Sequence, residues 1–346
     1  MRVSQVLCAA GPVDAVTNQV FAWRGVFDEW GWEGIDYSAR VAPGFRSTAL
    51  RDLRELEPAS EEIVLVHYSG HAAGLERALA GTRRTLVVSH NVTPPRYFWA
   101  TDPVTAAVCE LGQEQLGRLA AGAGAVAGVS EFNARQLERL SGRPAAVIPV
   151  LFRPAPAPVD GVEPDRPPTI LFVGRLAPHK RQDLVIAAFA RYRRSAPGAR
   201  LVLVGSPATD EFEAELHAQA DRLAPGAVKF EREISRERLA SHYAEAHLFL
   251  CLSEHEGFCI PLLEAFHSGV PVIARDAGAV AEVLGDAGVL LGPDDTLATV
   301  AELLPIVLGD PELRAELSAR GRRRLEHYDA GRATELMRAA LEELAR

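Results

Sequence analysis

Lysine is nearly absent from this chain of 346 residues. Only Lys180 and Lys229 are lysines among 37 basic residues, so each of these two positions is unusual in a chain that otherwise uses arginine. No run of 18 apolar residues occurs, which argues against a transmembrane helix. The first seven residues are typical of a strand and show no signal-peptide cleavage pattern, so we expect a cytoplasmic protein.

Cysteine pairs and excess positive charge are also missing. Four scattered cysteines form no C-x-x-C pair, which favours free cytosolic thiols: Cys8, Cys109, Cys251 and Cys259. The formal net charge of −9 argues against a nucleic-acid partner. No Asp-x-Asp motif is present, and we predict neither a metal requirement nor a cofactor.

Short apolar runs alternate with amphipathic segments over residues 1–150. The runs predict strands at 3–9, 63–66, 85–89, 125–129 and 146–150, with helices between them. Such alternation indicates βαβ units around a parallel sheet, and ligands bind beyond the carboxyl ends of its strands. The residues just beyond four of these strand ends are therefore expected at one crevice: Gly11, Ser69, His90 and Ser130.

A proline-rich segment separates two halves. Seven prolines lie between residues 149 and 168, which is typical of a linker. A second alternating series follows, with strands predicted at 169–173, 200–204, 228–230, 248–252 and 270–274. Two long amphipathic segments, 311–326 and 330–344, end the chain. The sequence thus predicts two α/β domains.

The stretch Ser253–Gly269 combines a loop with the start of a helix. Pro261 suits a first helical turn, and Gly269 suits the stop. Glu256 lies in the loop, and Glu264 follows eight residues later, one turn into the helix. A helix N-terminus favours an anionic ligand, whereas carboxylates suit sugar hydroxyls. Together they predict a nucleotide-sugar pocket.

A glycine-rich segment offers a competing interpretation. Gly122-Ala123-Gly124-Ala125-Val126-Ala127 matches G-x-G-x-x-A, the fingerprint of dinucleotide-dependent oxidoreductases. That fingerprint follows a strand and opens a helix, but here it follows a helix and opens a strand. The reversed context argues strongly against a nicotinamide cofactor.

Several motifs of the second half, taken together, resemble one family. Segments 173–180, 203–205, 253–269, 282–284 and 292–293 are similar to the retaining family-4 glycosyltransferases of the GT-B fold. The resemblance implies an α/β fold of two Rossmann-like domains facing across a cleft. Residues 1–155 would bind the acceptor and 165–327 the nucleotide-sugar. A C-terminal helix at about 328–346 would cross back to the first domain.

The resemblance also implies roles for individual residues. Arg175 and Lys180 would neutralise the leaving diphosphate, although each would otherwise be an ordinary surface charge. Glu256 would orient the transferred sugar and Glu264 would bind the ribose hydroxyls. The backbone of Gly257, Phe258, Cys259 and Ile260 would approach sugar and phosphate, with Cys259 standing where the family usually has a second glycine. Gly205 and Ile234 lie where the family holds the nucleotide base.

Four residues of the first half complete the candidate site. His90, in Ser89-His90-Asn91, matches a histidine that the family places near the transferred sugar, and His67 is its competitor at the same crevice edge. The family often carries a glycine pair in the first loop, where this chain has only Gly11. Asp14 or Asn18 would contact an acceptor hydroxyl, or would cap the following helix.

The expected activity is transfer of a hexosyl group with retention, from a UDP- or GDP-linked sugar to a hydroxyl. The acceptor stays open: a glycan, a lipid-linked molecule or a small molecule. Residues 1–150 hold 14 arginines against 16 acidic residues, which weakens but does not remove the case for peripheral membrane contact. The alternative is a non-catalytic nucleotide-sugar-binding protein of the same fold.

Overall fold

A computed structural model describes residues 1–12, 14–45, 47–154 and 166–346. Most of the expected linker, residues 155–165, lies outside the described residues. The chain divides into two compact units, one formed by Met1–Leu151 with Tyr328–Arg346 and the other by Phe152–His327. Among the described residues, no helix combines the length and the apolar character that crossing a membrane requires.

Seven described strands of the first unit form a parallel sheet, in the order β3-β2-β1-β4-β5-β6-β7. Their bounds are β1 Val3–Leu7, β2 Asp36–Ser38, β3 Leu50–Asp52, β4 Ile63–Tyr68, β5 Thr85–Ser89, β6 Ala125–Gly128 and β7 Ala146–Val147.

Six described strands of the second unit form another parallel sheet, in the order β10-β9-β8-β11-β12-β13. Their bounds are β8 Thr169–Val173, β9 Arg200–Val204, β10 Val228–Glu231, β11 Leu248–Cys251, β12 Val272–Arg275 and β13 Val289–Leu291.

The α-helices alternate with the strands. Their bounds are α1 Ala15–Glu29, α2 Leu75–Ala78, α3 Pro103–Gly122, α4 Glu131–Ser141, α5 Gln182–Tyr192, α6 Asp210–Leu223, α7 Arg236–Glu245, α8 Ile260–His267, α9 Val280–Leu284, α10 Leu297–Gly309, α11 Pro311–Leu325 and α12 Ala330–Ala345. Short 3₁₀ turns lie at Leu53–Glu55, Pro95–Tyr97, Pro178–Lys180 and Glu326–Tyr328.

The central strands are buried on both faces, as in sheets covered by helices. Every residue of β1, β4 and β5 is buried. In the second unit, Ile170, Leu201 and Leu250 are fully buried within one core. Helix α12 contacts β4 and β5, so the end of the chain returns to the first unit. The two parallel sheets lie in separate compact units, which agrees with the predicted two-domain α/β architecture.

Several features of the first sheet differ from the prediction. Strand β1 ends at Leu7 and not at residue 9, and β7 ends at Val147 and not at residue 150. Strands β2 and β3 were not expected, because each has three residues and no apolar run. Strand β4 was expected to end at Val66, but it continues through His67 and Tyr68. Polar residues extend the strand because their side chains find buried partners. The Tyr68 hydroxyl, for example, donates to the Gly112 carbonyl at 2.7 Å.

Each sheet has one point where the strand order reverses direction. In the first sheet β1 lies between β2 and β4, and in the second sheet β8 lies between β9 and β11. The loops that leave the two strands at such a point run to opposite faces and open a crevice at their carboxyl ends. The loops after β8 and β11 therefore define the crevice of the second unit.

Candidate functional site

The two loops at the reversal point of the second sheet are tied together. Residues 174–181 follow β8 and residues 252–259 follow β11. The Glu254 amide donates to the His179 carbonyl at 2.7 Å. The 3₁₀ turn Pro178–Lys180 is thereby fixed beside the loop that carries Glu256.

Lys180 and Glu256 form an ion pair across these loops. The Lys180 Nζ atom lies 2.6 Å from Glu256 Oε2, and the two side chains are 17% and 9% exposed. Burial alone would lower the pKa of Lys180, but the facing Glu256 carboxylate and the neighbouring cysteines Cys259 and Cys251 together outweigh it, and the pKa is raised. An ammonium has three N–H donors, so this contact leaves two for another acceptor. The second unit thus holds a fixed positive charge at its crevice.

Arg181 fixes the position of Lys180. Its φ of +53° is in the left-handed region, which is strained for an arginine. Its guanidinium donates to both carboxylate oxygens of Asp183 at 3.0 and 2.9 Å and also pairs with Glu254. Arg275 reaches the same Glu254 carboxylate at 3.6 Å. This network joins both loops to β12.

The Glu256 backbone is held from the opposite side by the loop after β12. The Ala279 amide donates to the Glu256 carbonyl at 3.0 Å. A Cβ atom on Gly278 would lie 2.1 Å from the same carbonyl oxygen, and Gly278 has a φ of +64°. Only glycine therefore allows this approach. Glu256 is consequently positioned through both its side chain and its main chain.

Glu264 lies one turn into α8 and is half-buried. The Tyr243 hydroxyl donates to Glu264 Oε2 at 2.8 Å and approaches the Pro261 carbonyl at 3.3 Å. Burial raises the pKa of Glu264, and the hydrogen bond from Tyr243 opposes that shift. Burial and the neighbouring carboxylate hold the pKa of Tyr243 well above its usual value. The protonated tyrosine orients one carboxylate oxygen and leaves Oε1 for a ligand.

Cys259 caps the N-terminus of α8 with a φ of +75°. This left-handed conformation favours glycine, which is the residue that the family pattern has here. Cys251 and Cys259 are both buried, and their sulfurs lie within 4.8 Å of each other and of a Glu256 carboxylate oxygen. These three groups could ligate a soft cation. Any cation there would have to compete with the Lys180 ammonium for Glu256.

The remaining predicted residues of the second unit lie in the loops after β8, β9, β10 and β11 and at the start of α8. Arg175 is exposed, and its carbonyl accepts a hydrogen bond from the Gln182 amide at 2.9 Å. A Cβ atom on Gly205 would lie 2.0 Å from the Gly174 carbonyl, so the loops after β8 and β9 are in close contact. The loop after β11 has Phe258 6% exposed. Three other predicted positions are half-buried: Ile234, Gly257 and Ile260.

The first unit brings His67 and His90 together. Their atoms Nδ1 and Nε2 lie 3.0 Å apart, and His67 Nε2 lies 3.0 Å from Gln5 Oε1. Burial lowers the pKa of His90 to about 4. Burial and the neighbouring His90 hold the pKa of His67 well below its usual value. Both rings are therefore neutral at neutral pH. His67 has no exposed surface, so it contacts His90 and not solvent.

Asp14 and Asn18 have different positions at the start of α1. Asp14 is the N-cap, and its Oδ2 atom accepts from the Thr17 amide at 2.7 Å and from the Thr17 hydroxyl at 2.8 Å. Of its two expected roles, the capping role is present. Asn18 is exposed, and its backbone amide donates to the Asp14 carbonyl at 3.0 Å.

Sequence reasoning missed three residues of the site. Tyr243 lies in the last turn of α7, and Gln5 lies in β1 next to another polar residue, Ser4. Gly278 lies in the loop after β12, where no motif was singled out in the sequence. Gln5 is the only one that gave a signal, because a polar residue inside a fully buried strand requires a partner.

Comparison with known proteins identifies relatives of this chain. The model of the family "Glycosyl transferases group 1" matches residues 157–324. A D-inositol 3-phosphate glycosyltransferase from Nocardia farcinica is 30% identical over 92% of this chain and 72% of its own length. Two other relatives of the same name match over only 42% of their own lengths.

Solved structures share the two-domain GT-B fold of this chain at low sequence identity. A sucrose-phosphate synthase from Thermosynechococcus elongatus has a TM-score of 0.77 and 19% identity, with 99% of this chain and 98% of that chain covered. The Anabaena protein HepE, in complex with UDP and glucose, has a TM-score of 0.75 and 16% identity, with 99% and 100% covered. The Nocardia relative, together with the family model, shows that the chain belongs to the group 1 glycosyltransferase family.

Proposed function

We propose that this protein is a retaining glycosyltransferase that moves a hexosyl group from a nucleotide-diphosphate sugar to a hydroxyl acceptor without a divalent metal. The observation that carries the proposal is the Lys180–Glu256 ion pair between the loops after β8 and β11. It places a cation and a carboxylate side by side at a crevice of a parallel sheet. A sugar diphosphate needs both: positive charge for the leaving group and hydrogen-bond acceptors for sugar hydroxyls.

The proposed reaction is a front-side displacement. The bond between the anomeric carbon and the diphosphate oxygen breaks, and the acceptor oxygen bonds to the same face of that carbon. The acceptor proton passes to an oxygen of the leaving diphosphate. Lys180 and Arg175 stabilise the charge that develops on this group, because preorganised cations cost no reorganisation during the reaction. Glu256 orients the transferred sugar through its hydroxyls.

The nucleotide is assigned to the rest of the same crevice. Glu264 Oε1 accepts from the ribose hydroxyls, while Tyr243 holds Oε2. The N-terminus of α8 faces the phosphates, and the loops at Gly205 and Ile234 hold the base. The HepE structure is a complex with UDP and glucose, whereas two mycobacterial relatives are named GDP-mannose-dependent mannosyltransferases. Both UDP- and GDP-linked donors therefore belong in the test.

The acceptor is proposed to bind the first unit and to be a polyol hydroxyl. Relatives are named for D-inositol 3-phosphate and for phosphatidylinositol mannosides. These names share an inositol ring, free or linked to lipid. Inositol phosphate and a phosphatidylinositol glycolipid are consequently the first acceptors to try, one as a small molecule and the other at a peripheral membrane contact.

The test is release of nucleotide diphosphate from a panel of UDP-, GDP- and ADP-sugars, with and without inositol-containing acceptors. Proton NMR of the product would give the anomeric configuration. We expect one donor to be turned over with retention, and Lys180→Ala and Arg175→Ala to abolish most turnover. An inverted product would overturn the retaining mechanism. Donor binding without release or transfer would favour the non-catalytic alternative.

A further inference from the structure

His67 and His90 end a buried hydrogen-bond chain in which each donor and acceptor is determined by its neighbour. We propose that His67 is a positioning residue that fixes the ring tautomer of His90, with the proton on Nε2 and a bare Nδ1. This inference rests on the proposed function only where it assigns His90 to the transferred sugar. The tautomer itself follows from the contacts of the first unit.

The direction of the chain is set at Gln5. Its Nε2 atom donates to the Val20 carbonyl at 3.0 Å and to Asp36 Oδ1 at 3.0 Å, which uses both amide hydrogens. The opposite amide orientation would set the Gln5 carbonyl against a carbonyl and a carboxylate. Gln5 Oε1 therefore faces His67 Nε2, 3.0 Å away, and can only accept.

Each following donor is then determined. Because Gln5 accepts, His67 Nε2 carries the proton. A neutral imidazole has one protonated nitrogen, so His67 Nδ1 is an acceptor. The atom that faces it, His90 Nε2, lies 3.0 Å away and must donate. The proton of the neutral His90 ring is thereby fixed on Nε2, and its Nδ1 atom keeps a lone pair.

An ion pair stabilises the end of the hydrogen-bond chain that lies farther from His90. The Arg24 guanidinium donates to Asp36 at 2.6 to 3.2 Å, and the Asp36 side chain is 3% exposed. This ion pair places a carboxylate oxygen of Asp36 next to the Gln5 amide. The orientation of Gln5 is therefore stabilised by a charge-assisted hydrogen bond, which is stronger than a neutral one.

The other end of the hydrogen-bond chain is His90, whose ring is accessible to a ligand. His90 directly follows β5 at the carboxyl edge of the sheet and is partly exposed. Among the described residues, none donates to His90 Nδ1. A bare imidazole nitrogen accepts and cannot donate, so it selects a hydroxyl that presents its proton. His90 would thus discriminate a sugar hydroxyl from an analogue that has only an acceptor, such as a fluoro or keto group, at that position.

The decisive experiment is NMR of the whole protein labelled with ¹⁵N-histidine. Long-range ¹H–¹⁵N correlations report which ring nitrogen carries the proton, and loss of signals in His90→Asn identifies His90 among the ten histidines. We expect the Nε2–H pattern for both His67 and His90 at neutral pH. An Nδ1–H pattern at His90 would overturn the proposal. This readout does not depend on any activity, so it stands even if no donor is turned over.

Two variants of His67 separate positioning from packing. In His67→Asn, the side-chain oxygen takes the place of Nδ1 and can still accept from His90. His67→Leu fills the space but cannot accept. We expect His67→Leu to give mixed His90 tautomers and a roughly fivefold to tenfold lower kcat, the effect of about one lost hydrogen bond. His67→Asn should restore both readouts. Equal kcat and equal tautomer spectra for the two variants would contradict the proposal.

Gln5→Leu is a second route if His67 variants fold poorly. Without the Gln5 acceptor, His67 is free to carry its proton on Nδ1 and donate to His90. We expect the His90 proton to move to Nδ1, which inverts the wild-type pattern. Thermal unfolding of each variant would show that the spectra come from folded protein. An unchanged Nε2–H pattern at His90 in folded Gln5→Leu would also overturn the proposal.

Discussion

Both units contain a parallel sheet, but the side chains at the carboxyl edges of the two sheets differ in charge. In the second unit, the crevice at the reversal point holds charge, since Lys180 and Glu256 meet as an ion pair. In the first unit, the corresponding edge holds His67 and His90 as neutral rings, because burial lowers the pKa of both. Among the described residues, the carboxyl edge of the second sheet thus has an ion pair where that of the first has two hydrogen-bonded histidines.

In the proposed reaction, this difference would assign the two substrates to different units. A charged crevice suits a diphosphate, whose negative charge grows as it leaves. A neutral crevice suits hydroxyl groups, which need direction more than charge. The buried chain from Asp36 through Gln5 to His90 supplies direction. The comparison therefore predicts that substitutions in the second unit act on charge and that those in the first act on hydrogen-bond geometry.

The largest expected effect is loss of charge at Lys180. Lys180→Ala should lower kcat by about 10² to 10³, the cost typical of removing one preorganised electrostatic contact. Steady-state release of nucleotide diphosphate measures it. The chain offers a matched control in Lys229, its other lysine, whose side chain is 56% exposed and pairs with Glu231. Lys229→Ala should change kcat by less than about twofold. Equal losses in both variants would mean a general effect of charge.

The next effect concerns the neutral histidines and pH. Unfolded His90 protonates at about pH 6.5, but in the folded protein its pKa is about 4. Its contribution to stability is therefore complete above pH 6.5 and is lost as the pH falls towards 4. At about 1.4 kcal/mol per pH unit, the free energy of unfolding should lose roughly 3 kcal/mol through this residue.

Denaturant unfolding of wild type and His90→Gln between pH 7 and pH 4 measures that loss. Carboxylates titrate in the same window, but their effect is common to both proteins and cancels in the difference. The stability of wild type relative to the variant should fall by roughly 3 kcal/mol. A difference independent of pH would show that His90 is not held neutral, and the contrast between the two units would disappear.

Much of the fold could be predicted from periodicity alone. Strands β8 and β9 have the predicted bounds, because their runs are continuously apolar and end at glycine. Strands β2 and β3 could not be predicted, since three-residue strands carry no periodic signal and form by pairing with β1 and with each other. The extension of β4 through His67 depends on partners that are distant in sequence, such as Gln5.

The candidate site likewise contains residues that the sequence predicted and residues that it could not predict. The sequence singled out Arg175, Lys180 and Glu256 in loops that follow strands, and Glu264 one turn into α8. Of these, the structure joins Lys180 to Glu256. The residues that orient the two glutamates come from elsewhere in the chain, Tyr243 from α7 and Gly278 from the loop after β12. Cys259 was singled out because the family usually has a glycine at this position. Its φ of +75° lies in the left-handed region that favours glycine, which explains why the family has glycine there.

A smaller effect is expected when the orientation of a carboxylate is lost and its charge is kept. Tyr243→Phe removes the hydroxyl that holds Glu264 Oε2 at 2.8 Å. The KM for the donor should rise about fivefold, since one hydrogen bond contributes about 1 kcal/mol, and kcat should change less. Tyr192→Phe is the control, because Tyr192 is 6% exposed in the core of the same unit. A fall in kcat as large as that of Lys180→Ala would contradict the separation of charge from orientation.

The smallest expected effect is that of metal removal. Lys180 already supplies a cation 2.6 Å from Glu256, the carboxylate that a metal at Cys251 and Cys259 would also require. Two cations beside one carboxylate repel each other, so a divalent ion and the ammonium are alternatives. Treatment with EDTA should leave kcat unchanged, and added Zn²⁺ should inhibit by displacing Lys180. Loss of activity with EDTA that Mg²⁺ restores would show that the charge of the second unit is incomplete without a metal.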